Sequence, residues 1–214
     1  MQFKMLSQLV IFISVIIPFT VAGQGSDTTD TVSATLLENS FMTILGSSTL
    51  HDWDVEAADF SVQFRVPGRW FDSDRFWAGE DIEELNVTVQ VGRLDGGKNK
   101  MNRDLREALR YEEYPEIQFS WDKVIFSGTS DTGRTAEVLG SVTIAGEERE
   151  IQFNAILSFN EWSQIVAKGQ VTLNMRDYNV DPPTALFGVI RTDEMIDLTF
   201  ELYFEGDNSV GEID

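Results

Sequence analysis

The sequence contains no cysteine and a single histidine, His51. The first absence excludes disulfides, thiolate nucleophiles and a lipid-modified N-terminal cysteine. The second excludes a metal centre built from clustered histidines. Basic residues are also scarce, 16 against 36 acidic ones, for a net charge of −20. A surface this acidic argues against nucleic acid and against anionic headgroups as partners. No phosphate-cradling glycine loop, CxxC or HExxH pattern occurs. Ser47, Ser48, His51 and Asp52 suggest a triad, but neighbours on one strand do not converge as nucleophile, base and orienter. Glu80, Asp81, Glu83 and Glu84 form an acidic run without a defined ligand loop. The chain therefore reads as a non-enzyme with no catalytic residue, no metal and no resident cofactor.

Long apolar runs are absent except near the start, from Leu9 to Ile17. That run is short for a membrane span and is broken by Pro18. With Lys4 before it and Ala22-Gly23 after it, residues 1–23 read as a cleaved secretory signal, an uncleaved anchor being the alternative. The expected location is periplasmic or secreted, with no stable membrane insertion after cleavage. Cleavage removes Lys4 and no acid, taking the net charge from −20 to −21. A disulfide-free exported domain must fold on its own core, and about 190 residues suffice for that.

Residues 24–34 are small, polar and aperiodic and read as a flexible linker. Residues 35–205 form the folded domain, and 206–214 an acidic tail. Within the domain the dominant period is two. Val62, Phe64 and Val66 share one face, Leu85, Val87, Val89 and Val91 another, and Ile196, Leu198, Phe200, Leu202 and Phe204 the clearest of all. Ala136–Ile144 and Glu150–Phe159 read as a hairpin across Ala145-Gly146-Glu147. Period two fails once, where Met101, Leu105, Ala108 and Leu109 trace one stripe of an amphipathic helix. Asn102 or Asp104 is its expected N-cap, with Glu107 completing a capping box on Asp104. Pro115 ends it before the strand through Ile117, Phe119 and Trp121.

Eight or nine antiparallel strands with one short helix predict an all-β, closed or nearly closed barrel of about eight strands, a β-sandwich being the alternative. The strands are long for a sandwich, and Gly140 and Gly169 interrupt apolar faces as barrel walls require. The expected interior lining is Phe64, Val87, Val89, Phe119, Trp121, Val142, Phe153, Leu157, Leu173, Leu198, Phe200 and Leu202, closed on one side by Leu105 and Leu109. His51 and Trp53 are expected near a barrel end. The connection from Pro67 to Glu84 carries Trp70, Phe71, Phe76 and Trp77, too many aromatics for a solvated loop. It either folds onto the body or forms a lid at a cavity mouth. As exposed aromatics, those four residues support an alternative function, a surface module that binds a glycan or protein.

Four segments taken in order resemble the YceI-like, polyisoprenoid-binding proteins. Arg103-Asp104 and Leu109, followed by Tyr114-Pro115-x-Ile117-x-Phe119, are similar to the family's R-D…L…(Y/F)-P-x-I-x-F. L-G-S-V-T-I-A-G-E-E-R-E-I-Q-F from Leu139 to Phe153 resembles its G-x-L-T-I-x-G strand pair. M-R-D-Y-N-V-D-P-P from Met175 to Pro183 resembles its R-x-D-(F/Y)-G segment, with Asn179 in place of the glycine. S-S-T-L-H-D-W resembles its histidine-bearing N-terminal strand. The resemblance implies an extended, lipocalin-like antiparallel β-barrel holding an isoprenoid lipid or quinone in an exported bacterial protein; the expected cavity mouth is His51, Trp53, Trp70, Trp77, Arg103, Asp104 and Tyr178. It leaves open whether two chains pair along an edge strand. Burying about forty carbons from water sums to ~30 kcal/mol, above the practical affinity ceiling of roughly 18–21 kcal/mol. The competing state is a bilayer, so net transfer is near neutral, which suits a carrier or store.

Overall fold

Strand β12, Ile190–Gly206, is 17 residues long and explains how the wall closes. One edge pairs antiparallel with β10 (Ile165–Asn174) over ten residues, with Gly169 opposite Phe200. The other edge is shared by two successive strands, β2 (Phe41–Ser48) and then β1 (Thr31–Leu36). The computed structural model describes residues 31–71, 81–130, 133–185 and 190–206.

The same sharing recurs around the sheet. β3 (Trp53–Ala57) pairs with β2, and β4 (Phe60–Pro67) with β1. β5 (Glu84–Gln90) pairs with β4, and the two-residue β6 (Leu94–Asp95) with β3. Each couple is thus one stave interrupted by a short break. The ring continues through β7 (Glu116–Ser130), β8 (Gly133–Ile144) and β9 (Glu147–Phe159) to β10. The result, with one α-helix among the described residues, is a closed, eight-stave antiparallel barrel, as the strand pattern anticipated and in the lipocalin-like form that the resemblance implied. The short β11 (Thr184–Ala185) pairs with the start of β12.

Two boundaries differ from expectation. β1 opens at Thr31, inside the stretch read as linker, because Thr31, Val32 and Ser33 pair with Pro67, Val66 and Arg65. The expected strand from Leu36 to Ile44 is divided by a turn at 37–40. There the Ser40 hydroxyl accepts from the Tyr203 amide at 2.9 Å. The β8–β9 hairpin turns at Ala145 (φ 48°) and Gly146 (φ 82°). Two consecutive positive φ values give the type I′ turn that matches strand twist.

Helix α1, Asn99–Ala108, starts earlier than the capping signals suggested. Its N-cap is Lys98, which makes no side-chain cap bond, and Asp104 pairs with Lys100 rather than completing a capping box. Asn102 has a different task. Its amide oxygen accepts from the Gly96 N–H (2.7 Å), while its NH₂ donates to Asp95 (2.9 Å). The helix is thereby tied to β6. At the other end Arg110 sits at φ 52°, with Tyr111 N–H donating to the Arg106 carbonyl and Arg110 N–H to that of Glu107. This is a Schellman stop with arginine in the left-handed position usually held by glycine. The Arg110 guanidinium then donates to the Ala145 carbonyl and lies 4.6 Å above the Tyr114 ring, tying the helix end to the β8–β9 turn.

Candidate functional site

The barrel encloses an apolar tunnel in two chambers. The deep chamber has a volume of about 140 Å³ and the outer chamber, the vestibule, about 390 Å³. Met42, Val89, Ile117, Val142, Leu173 and Leu198 line both. They come from β2, β5, β7, β8, β10 and β12, so they form one layer of inward side chains around the wall, a waist joining the chambers.

Beyond the waist, Phe119, Phe153 and Phe200 form an aromatic belt. Ring centroids lie 5.9 Å apart for Phe119–Phe153 and 6.0 Å for Phe153–Phe200, both edge-to-face. The belt leaves the lumen open because two glycines give its rings room. A Cβ on Gly169 would fall 2.4 Å from the Phe200 ring, and one on Gly140 would fall 2.8 Å from the Phe119 ring. Phe200 and Phe119 recline into the wall where those side chains would stand. The interruptions of apolar pattern at Gly140 and Gly169 are alcoves for aromatic rings.

The deep end is closed. Phe64 and Phe204 meet with centroids 5.0 Å apart, and Trp70 packs behind them, 6.1 Å from Phe64 and 6.0 Å from Phe126. Trp70, Phe204, Ile165 and Val66 are all nearly inaccessible to solvent and belong to one cluster here. Trp70 is therefore corrected from mouth to floor. It lies in a short 3-10 turn, Gly68–Phe71, which folds back under the barrel because its indole is worth more buried than wet. Phe71 is half-buried beside Gly206. This takes Trp70 out of the exposed aromatic set on which a glycan- or protein-binding surface was to rest. Phe76 and Trp77 lie outside the described residues.

The outer end is roofed by α1. Met101, Leu105, Ala108 and Leu109 line the vestibule, and no residue of the helix is buried. The apolar face of the helix is half-buried: Met101, Leu105 and Leu109 pack at its base against the cluster that includes Val55, Val91 and Leu94, and the part that cluster leaves uncovered faces the cavity. His51, Trp53, Asp104 and Tyr178 also line this chamber, together with Ser48, Leu50, Lys98, Lys100 and Thr192. Ser48 pins the 48–51 turn, donating to the His51 carbonyl (2.8 Å) and accepting from the His51 amide (3.2 Å). His51 stands exposed on the rim, its Nδ1 2.7 Å from the Asp52 carbonyl. Trp53 is held by a bond from its indole N–H to the Ser47 carbonyl, 3.2 Å. Tyr178 is buried, and burial, with the Asp177 charge second, raises the pKa of its phenol. Asn179 beside it adopts φ 53°, a conformation asparagine tolerates, so the residue standing for glycine preserves the turn.

Two expected site residues do not line the tunnel. Trp121 keeps the register of Phe119, opposite Gly140, and is half-buried against the deep cluster, while the irregularity that follows it, between Trp121 and Lys123, brings Val124 to the lumen. Arg103 is exposed, since two residues before Leu105 is nearly the opposite side of a helix. The remaining expected lining residues all face one chamber or the other. Lining residues that the pattern did not single out include Met42, Ile117, Ala136, Ala155 and Ala167. The alanines were legible only as small residues recurring at even spacing on inward faces.

The YceI-like domain family matches this chain over residues 53–205, from β3 to the end of β12. No curated protein sequence matches it significantly. Among solved structures, BcnA of Burkholderia cenocepacia superposes with a TM-score of 0.61 at 16% identity, covering 77% of this chain and 95% of that one. A polyisoprenoid binding domain from Saccharophagus degradans, implicated in plant cell wall breakdown, gives a TM-score of 0.53 at 15% identity, covering 82% and 98%. The Campylobacter jejuni YceI protein gives 0.51 at 16%, covering 71% and 82%. At these identities the likeness is one of fold.

Proposed function

The chain belongs to the YceI-like family, and from that premise we propose that it is a non-enzymatic binder of an isoprenoid or related amphiphilic lipid, which it carries or stores. The observation that carries the reading is the two-chambered tunnel, apolar along its length, polar at one end and closed at the other. Twelve residues of β12 separate Thr192 at the rim from Phe204 at the floor. The irregularity between Thr192 and Ile196 takes up two of those steps, and the other ten, at ~3.3 Å per residue and a tilt of about 40°, rise roughly 25 Å. A bilayer's hydrocarbon core is ~30 Å thick but is shared by two leaflets. The tunnel is therefore deeper than one leaflet's tail, which favours a long prenyl chain over an ordinary acyl chain.

The polar rim supports an amphiphile whose head stays at the mouth, as an isoprenoid quinone's would. We further propose that the protein works in the periplasm or outside the cell, on the N-terminal apolar segment of the sequence, which lies outside the described residues. Mass spectrometry of an organic extract of protein purified from its native host tests the reading. A stoichiometric prenyl lipid is expected. Its repeated absence, with no uptake of ubiquinone-like or menaquinone-like probes, would overturn it.

A further inference from the structure

Resting on that reading, we propose that the floor of Phe64 and Phe204, backed by Trp70, makes the tunnel a length gauge that selects prenyl chains by the number of isoprene units they carry. Three features of the site combine to this end. The rim holds the polar groups, Ser48, His51, Lys98, Lys100 and Asp104, whereas the deep chamber is lined by apolar side chains alone. The head of an amphiphile is thereby confined to one end. The opposite end is the most densely buried part of the molecule. Trp70 and Phe204 are the two largest of the fully buried side chains, and Phe204 meets Phe64, Phe64 meets Trp70 and Trp70 meets Phe126. Between rim and floor lie the two chambers, which adjoin at the waist whose six side chains line both. The distance available to a chain is thus fixed by wall and floor rather than by the ligand.

A chain that stops short of the floor leaves lining atoms without partners and forfeits their dispersion contacts. A chain longer than the tunnel must hold its excess apolar surface in water at the mouth, or double back through a waist six side chains around. Affinity therefore rises with each isoprene unit while the tail advances toward Phe204, by at least about tenfold per unit. It stops rising when the tail arrives.

The experiment uses the full mature chain and a graded series of prenols, from monoterpene to undecaprenyl length, displacing a fluorescent prenyl probe. The wild type is expected to show a sharp break in affinity at one length. Phe204→Ala removes part of the floor and should move the break to a longer chain by about one isoprene unit. Ala155→Leu, on the deep-chamber wall, should move it to a shorter one without deleting core. Circular dichroism establishes that each variant is folded. If Phe204→Ala is not, the Ala155→Leu shift decides. Affinity that climbs without a break, or the same break in a folded variant, would overturn the gauge and leave the lipid reading intact. Failure of the wild type to bind any prenol would overturn both.

Discussion

Gly169 has no side chain, and the Phe200 ring occupies the space one would fill. The consequence of adding a methyl there depends on what can move. At Gly169 the obstacle is the far edge of a ring beside an open lumen, with the Asn154 carbonyl farther off at 3.2 Å. At Gly140 it is the Ser120 backbone carbonyl, 2.3 Å from where the new Cβ would stand, as well as the Phe119 ring. Gly169→Ala should therefore cost about 1 kcal/mol, the low end of overpacking, because Phe200 can swing into the cavity. It should also shrink the deep chamber and lower prenyl-lipid uptake. Gly140→Ala should cost at least 2–3 kcal/mol, roughly the upper range for overpacking, because backbone has to shift. Denaturant unfolding and lipid retention measured on the same two variants separate these effects. Equal destabilisation would mean that the alcoves are not filled as described.

The elements differ in how far the sequence announced them. The alternation in β12 and the apolar stripe of α1 were legible, because each is a local period written along one segment. The type I′ turn was legible as a hairpin, although the positive φ it requires at Ala145, whose carbonyl accepts from Arg110, is not announced by the residue type. The waist was not legible: its six residues come from six strands, and only the sheet register brings them into one layer. The floor was legible only in part: one reading of the Pro67–Glu84 connection had it fold onto the body, as Trp70 does, but not where. Trp70 lies in a long connection with no period, and nothing local says whether its indole points out to a partner or back under the barrel.

For α1 the cavity makes a specific prediction. Leu105 faces the vestibule, so Leu105→Asp places a carboxylate against apolar wall. Lipid retention should fall at least tenfold, with destabilisation of about 1–3 kcal/mol. Arg106→Ala removes a side chain that does not line the chamber and should change neither by more than ~0.5 kcal/mol equivalent. If the two variants behave alike, α1 is not the roof of the tunnel. The hairpin offers a companion test at the same scale. Gly146 combines φ 82° with a Tyr114 ring 2.5 Å from any added Cβ. Gly146→Ala should destabilise by about 1–3 kcal/mol, through left-handed strain and loss of the Tyr114 contact. Thermal unfolding reads that cost directly.

For the whole molecule the governing quantity is charge. With 36 acidic and 16 basic residues, the folded barrel repels itself at neutral pH, and added salt should raise its stability by screening that repulsion. Acid acts in two opposed ways. Protonating unpaired surface carboxylates relieves repulsion, so stability should first hold or rise as pH falls from 7. Four carboxylates resist. Glu201 is held below its ordinary pKa by hydrogen bonds from Lys168 and Tyr203, Asp197 by Thr172 and Gln170, Asp95 by Asn102 and Gly97, and Glu116 by Gln90 and Gln118. A pKa lowered on folding stabilises the native state above the unfolded value, about 3.9 for Asp and 4.3 for Glu. That contribution is lost as pH falls through the native value. Stability should therefore turn downward below pH ~4, and Thr172→Val, which deletes the largest cause at Asp197, should soften the turn. In base the signs reverse. Lys168 is raised chiefly by its bond to Glu201, and Tyr178 chiefly by burial. Both stabilise below their unfolded values of roughly 10 and lose that contribution above them. Urea unfolding from pH 3 to 11 at two salt concentrations should thus trace a dome, with salt raising its centre more than its acid edge. A centre indifferent to salt would mean that the pairing of charges along the outer wall, rather than the net excess, sets the stability of this barrel.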